Sequence, residues 1–332
     1  MIDSLHPSAA VRQLLPALID RVKQARHVYV GTHLNPDGDA LGSALSMSMA
    51  LTQLGISHEV LCNNPAPTYL QFLSGSDRIR QEPEREADLA IALDLEDLDR
   101  LGRLIKPHFQ STPSLIVIDH HIPHQQSGDL RIIDQEAPAT CAILCDLFFD
   151  SEISITPAMA DCLLTGLVTD TGSFRFPNTT PHSLHICARL LEFGANLPRI
   201  SEEIYLTKHE AAVRLLGEAI RRIHLSEDRQ IGWAVLPLSL YEELGASDEH
   251  TEGIVNEILA ISGVRAAALI KEVREGRYKA SLRSRGSIDV AAVAQSLGGG
   301  GHKNAAGVTV EGTESQVVHT ILKSLTSCLA SS

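Results

Sequence analysis

Three side chains with ligand character crowd one short stretch, His33-Leu-Asn-Pro-Asp37-Gly-Asp39. Two carboxylates this close repel each other and lose hydration when buried, so a cation between them is a physical way to keep both ionised. The competing reading is mechanical: Asp39 stands where the N-cap of a following helix would stand. Three further stretches carry the same residue types. Asp94 ends the apolar run Leu89-Ala-Ile-Ala-Leu93, Asp119, His120 and His121 end Leu115-Ile-Val-Ile118, and Asp170 closes an apolar segment before Thr171 and Gly172. Taken singly, Asp94 reads as a turn or capping residue and Asp170 as part of a helix C-terminal turn. Asp-His-His at a strand end is harder to assign to a core, and its imidazoles add nitrogen donors to the carboxylate oxygens. The set contains no thiolate and suits a hard divalent cation, manganese or magnesium.

The flanking sequence predicts the elements that position these groups. Val28-Tyr-Val30 reads as a strand, and Leu41, Ala44, Leu45 and Met49 have helical spacing, so the first cluster lies on a strand–loop–helix connection. Residues 57–62, 89–94 and 115–119 read as further strands, two of them apolar enough to be buried and parallel. In an open α/β sheet ligands bind beyond the carboxyl ends of the strands, which brings the four stretches to one rim. Residues 9–25, 140–149 and 157–169 have helical patterns, and Thr179-Thr-Pro181 reads as an N-cap followed by proline at the first helical position of a helix that stops at Gly194.

The bulk properties narrow the partners. A length of 332 residues favours two domains, and a net charge of −13 argues against a protein that grips long duplex nucleic acid through many phosphates. The first seven residues lack a basic region and apolar core, no segment approaches a membrane span, and the scattered cysteines fit a reducing compartment; a cytoplasmic protein is expected.

Residues 196–226 read as a helical connector. Beyond it, Ile231–Leu236 reads as a strand, residues 266–273 and 278–283 as a hairpin ending in Arg283-Ser284-Arg285, and 289–297 as a short helix. Then comes Gly298-Gly-Gly-Gly-His302. Such a run costs backbone entropy and packs no side chain, but lets backbone N–H groups approach an anion closely, so capture of a phosphate is expected; the alternative is a flexible turn.

The ordered set His33-x-x-x-Asp37-x-Asp39, Asp94, Asp119-His120-His121 and Asp170 resembles the DHH phosphoesterase superfamily, and Gly299-Gly-Gly-His-x-x-Ala-Ala-Gly307 resembles the signature of its DHH-associated C-terminal domain. The resemblance implies an α/β protein with a parallel-sheet catalytic domain (1–195), the helical connector (196–226) and a smaller α/β substrate-binding domain (227–332), with the active site in the cleft between domains. It implies two divalent cations, usually manganese: His33 and Asp37 on one, Asp39, His120 and Asp170 on the other, Asp94 bridging. His121 would face the substrate phosphate or leaving group, and Asp119 would orient the histidines. Arg283, Ser284, Gly299, Gly300, Gly301 and His302 are carried over as substrate-binding positions. The two-domain pairing looks most like the branch that degrades very short RNA and removes the 3′-phosphate of adenosine 3′,5′-bisphosphate, acting without a membrane; a homodimer is left open. The alternatives are cleavage of linear dinucleotides such as pApA or pGpG, pyrophosphate hydrolysis, which the glycine signature opposes, and nucleotide binding without catalysis, which would need a degenerate ligand.

Overall fold

The computed structural model describes residues 9–122 and 127–330, apart from the side chains of Ala9, Ala10 and His302. It divides into two compact units, Met1–Thr207 and Lys208–Ser332.

In the first unit, α1 (Ala9–Gln24) buries Val11, Leu18 and Val22 at the spacing the sequence predicts. Next come β1 (Val28–Gly31), α2 (Gly38–Gln53), β2 (His58–Leu61), β3 (Leu89–Leu93), α3 (Gly102–Ser111), β4 (Leu115–Asp119) and β5 (Leu130–Ile133). The strands form one sheet in the order β2-β1-β3-β4-β5, every pair parallel. β1 and β3 run apolar and are buried end to end because helices cover both faces. On one face α1, α2, α4 (Thr140–Phe149), α5 (Pro157–Asp170) and α6 (Pro181–Glu192) bury Val28, Val30, Ile91, Leu93, Ile116 and Ile118. On the other, α3 brings Ile105 and Phe109 onto Tyr29, Ala90, Ala92 and Val117. The predicted cap of α6 is present: Thr180 accepts from the amide of Ser183, which bonds back to Thr180 N–H, with Pro181 at the first helical position. Strand β5 has no counterpart in the sequence reading, because Leu-Arg-Ile-Ile is too short to show a period.

After α7 (Leu197–Ser201) and a π-helical turn, α8 (Glu210–Arg221) begins the second unit and buries Leu215 and Ala219 against Ala234, Leu236 and Leu269. The remaining elements are β6 (His224–Leu225), β7 (Ile231–Leu236), α9 (Leu238–Leu244), α10 (Ile254–Leu259), β8 (Ala266–Arg274), β9 (Arg277–Ser284), α11 (Val290–Ser296), β10 (Gly300–His302), β11 (Ala305–Glu311) and α12 (Glu314–Ala330). They form a mixed sheet, β10-β11-β9-β8-β7-β6, in which only β7 and β8 are parallel neighbours. The glycine stretch is therefore not a free loop. Gly300–His302 pairs antiparallel with Ala305–Gly307, and the backbones lie so close that a Cβ at Gly299 would sit 2.2 Å from Gly307 O and one at Gly301 2.6 Å from Ala305 O.

Candidate metal centre

Order 2-1-3-4-5 places a topological switch between β1 and β3, where chain connections leave in opposite directions and open a crevice. His33, Asp37 and Asp39 leave the carboxyl end of β1 and Asp94 that of β3; Asp119, His120 and His121 follow from β4. Asp170 arrives at the end of α5.

Competition between capping and ligation is resolved within the first cluster. Asp37 is the N-cap of α2, its Oδ1 accepting from the amides of Asp39 and Ala40, both at 3.1 Å. Its other oxygen lies 3.8 Å from His33 Nε2. Asp39, inside the first turn, is buried, and its two oxygens accept the amides of Thr140 at 2.6 Å and Cys141 at 2.8 Å, at the N-terminus of α4. That helix end is a fixed positive pole behind the carboxylate.

The histidines are equally constrained. His33 Nδ1–H donates to Leu34 O at 2.9 Å and His120 Nδ1–H to Ala137 O at 3.2 Å, so each ring turns its Nε2 toward the carboxylates. His33 Nε2 is 3.5 Å from Asp94 Oδ2; His120 Nε2 is 3.2 Å from Asp170 Oδ2, 3.6 Å from Asp94 Oδ1 and 3.9 Å from Asp39 Oδ2. Although buried, His120 Nε2 makes no hydrogen bond of acceptable geometry. Asp94 sits between the two histidines with φ +58°, a left-handed conformation uncommon outside glycine and held here at the centre of the cluster.

Ligand atoms of His33, Asp37 and Asp94 lie within 4.8 Å of one another, as do those of Asp39, His120 and Asp170, and those of Asp94, His120 and His121. Burial, and then the charges of Asp94 and Asp170, push the Asp39 carboxyl well up; burial pushes Asp170 up to about 6. Burial opposes protonation of His33, but its bond to Asp94 and the charge of Asp37 prevail and raise it to about 9, while His120 rises through Asp170 and Asp94 against the same opposition. Protons held this way do the work of cations. An orphaned Nε2, mutually repelling carboxylates and an oxygen–nitrogen donor set all fit divalent cations, which displace such protons on binding.

Asp119 contributes differently. Its Oδ1 accepts the amide of His120 at 2.9 Å and the Nδ1–H of His121 at 2.7 Å, so it fixes the orientation of the His121 ring. Two residues here escape sequence reasoning. Thr140 Oγ1 donates to Asp94 Oδ1 at 3.1 Å, and Gly166 lets α5 approach Asp39. A threonine at the head of a helix and a glycine inside one carry no signal of a distant ligand.

In the second unit, Arg283 and Ser284 point to opposite faces of the sheet, as consecutive strand residues must. Arg283 is partly buried, its Nη1 donating to Leu282 O at 3.1 Å. Ser284 is buried, donating to Ile288 O at 2.7 Å and accepting from Asn304 Nδ2 at 2.9 Å, so its hydroxyl anchors the turn between β10 and β11. The side chain of His302 lies outside the described residues. Of the three glycines carried over, Gly300 alone would place a Cβ in open space. Gly300→Ala should therefore leave thermal stability within about 1 kcal/mol of the parent. If a substrate anion approaches this backbone, KM rises with kcat nearly unchanged; an unaltered KM removes Gly300 from the binding surface.

With this geometry established, comparison with known proteins is specific. Residues 27–167 match the DHH family N-terminal domain and residues 232–331 the DHHA1 domain. The chain is 32% identical over 289 residues to the bifunctional oligoribonuclease and PAP phosphatase NrnA of Thermus thermophilus, covering 86% of this chain and 85% of that protein. It is 26% identical over 281 residues to the protein of the same name from Bacillus subtilis, covering 84% and 87%. Among solved structures, an exopolyphosphatase-related protein from Bacteroides fragilis superposes with a TM-score of 0.90 at 26% identity, over 95% of this chain and 96% of that one. Two domain matches in order, a relative of this similarity over nearly full length, and a donor set at the β1/β3 switch point agree: the chain belongs to the DHH family of phosphoester hydrolases.

Proposed function

We infer that this protein hydrolyses the phosphodiester bonds of very short oligoribonucleotides and the 3′-phosphate of adenosine 3′,5′-bisphosphate, using two divalent cations, manganese foremost. The observation that carries the reading is the convergence of His33, Asp37, Asp39, Asp94, His120 and Asp170 in overlapping ligand groups, in a chain whose relatives of matching length are oligoribonucleases and PAP phosphatases. His33 and Asp37 would hold one ion and Asp39, His120 and Asp170 the other, with Asp94 available to both groups. Bound ions of this kind acidify water and neutralise charge on attacking and leaving oxygens.

The remaining steps belong to the chain. Thr140 and the α4 amides hold Asp94 and Asp39 at fixed angles. Asp119, by accepting His121 Nδ1–H, and the charge of Asp94 favour the doubly protonated ring against burial, and its Nε2–H is then the group that donates a hydrogen bond to the phosphate or a proton to the leaving oxygen. Arg283, the Gly299–Gly301 backbone and His302 bind the non-reacting part of the substrate, with Ser284 holding their turn. A cytoplasmic setting accords with this role; among the described residues no helix is long and apolar enough to cross a membrane.

The test is a manganese-supplemented hydrolysis panel of RNA dimers through long strands, pApA, pGpG, adenosine 3′,5′-bisphosphate and pyrophosphate. Turnover of dimers to tetramers together with the bisphosphate is expected. Turnover of pApA or pGpG alone would move the protein to dinucleotide disposal, and pyrophosphate alone would overturn the assignment. In the same assay Arg283→Ala should raise KM about tenfold or more and leave kcat within a few-fold. An unchanged KM would dismiss Arg283.

A further inference from the structure

Asp119 has one oxygen in use and one that is not. While Oδ1 takes the His120 amide and His121 Nδ1–H, Oδ2 is buried with no hydrogen-bond partner among the described residues. A second buried polar atom in the same condition is Arg131 Nε, a donor. The register explains why the two face one space. Val117 lies opposite Arg131 and Asp119 opposite Ile133, so Arg131 and Asp119 project from the same face of the sheet, two positions apart along neighbouring strands. Ile116, Ile118 and Ile132 fill the core on the other face.

Asp119 and Arg131 both line a small cavity with Leu95, Val117 and Ile133. The space in it open to the centre of a water is about 10 Å³, room for one molecule. The carboxylates of Glu96 and Asp97 also border it, but Asp97 Oδ1 accepts the Asp99 amide and Glu96 lies 3.6 Å from Arg100 Nε. Leaving a carboxylate oxygen and a guanidinium N–H both buried and unbonded is costly. A single water accepting from one and donating to the other removes both costs.

The geometry points to Arg131 as a positioning residue that acts through one buried water on Asp119 Oδ2, and through Asp119 on the orientation of His121. Arg131 touches neither substrate nor ion in this arrangement. Its link pins the carboxylate whose other oxygen orients the His121 ring, and so governs the chemical step rather than binding. The inference rests on the hydrolase reading and deepens it.

Arg131→Met retains the stem as far as the Nε position and removes the donors; Arg131→Lys retains a cationic donor. With adenosine 3′,5′-bisphosphate and manganese, Arg131→Met should lower kcat about tenfold or more, as loss of a group supporting an active-site ligand typically does. KM should stay within about twofold, and Arg131→Lys should recover part of kcat. Mn2+ affinity by calorimetry should be unchanged in both, because Asp119 is not among the proposed ligands. A crystal structure of the parent should show an ordered water between the two atoms. Wild-type kcat in Arg131→Met, a dry cavity in a map with waters elsewhere, or a kcat loss matched by weaker Mn2+ binding and a lower Tm would overturn the proposal. A parent inert on every substrate would instead overturn the hydrolase reading, leaving the water itself still open to observation.

Discussion

Asp94→Asn is expected to reduce kcat by about 10³-fold or more with the fold intact. The residue lies 3.5 Å from His33 Nε2 and 3.6 Å from both His120 Nε2 and His121 Nδ1, so it is the one carboxylate common to two of the three-residue ligand groups on its own and shared by both histidine arms. Burial opposes its ionisation, but His33 and then the other imidazoles hold its carboxyl well below the usual range; it is built to stay charged. Asparagine preserves volume and tolerates the left-handed φ of +58° better than most residues, which separates loss of charge from loss of backbone conformation. Removing a charge that organises metal-assisted hydrolysis forfeits several kcal/mol, and three decades of rate correspond to about 4 kcal/mol. The measurements are single-turnover rates with saturating manganese alongside circular dichroism and Tm. Turnover within tenfold of the parent would sink the two-ion assignment.

The site was legible because its residues are of types that a buried strand end does not otherwise use. His33, Asp94 and the Asp119–His121 run each follow an apolar strand, and parallel topology leaves strand ends only one rim to share. The sequence offers Asp39 as the cap of α2, but the structure gives that role to Asp37, because the N-terminus of α4, more than a hundred residues later, claims Asp39. Thr140 and Gly166 were invisible for the same reason, since their contacts are set by helix packing and not by neighbours in sequence. Composition alone makes the glycine run an anion-binding loop. In the structure the close approach of β11 accounts for glycine at 299 and 301, which leaves Gly300 as the one of the three whose lack of a side chain packing does not explain. Strand β5 is too brief to show a period, yet it supplies Arg131 to the face of Asp119.

Gly166→Ala should weaken divalent-cation binding about 10- to 100-fold without replacing a ligand, the range seen when the support of a metal ligand is disturbed. A Cβ at this position would lie 2.4 Å from Cys141 Sγ, 2.6 Å from Asp39 Oδ1 and 3.0 Å from Asp39 Cα. One of these groups must give way. The sulfur is enclosed by α4 and the Asp39 backbone by α2, so the carboxylate is the softest member, and moving it breaks its bonds to the Thr140 and Cys141 amides. Overpacking of this kind costs about 1–3 kcal/mol. The cost separates from the functional effect through Gly217, a glycine within α8 where a Cβ meets nothing within 4 Å. Gly217→Ala should leave cation binding alone and stabilise by up to about 1 kcal/mol through helix propensity. Titrating Mn2+ against Tm reads both quantities at once, since the metal-free Tm reports packing and the rise with cation reports affinity. If Gly166→Ala lowers the metal-free Tm but keeps the full rise with Mn2+, Asp39 is not a ligand, and the second ion must be held by His120 and Asp170 with Asp94 alone.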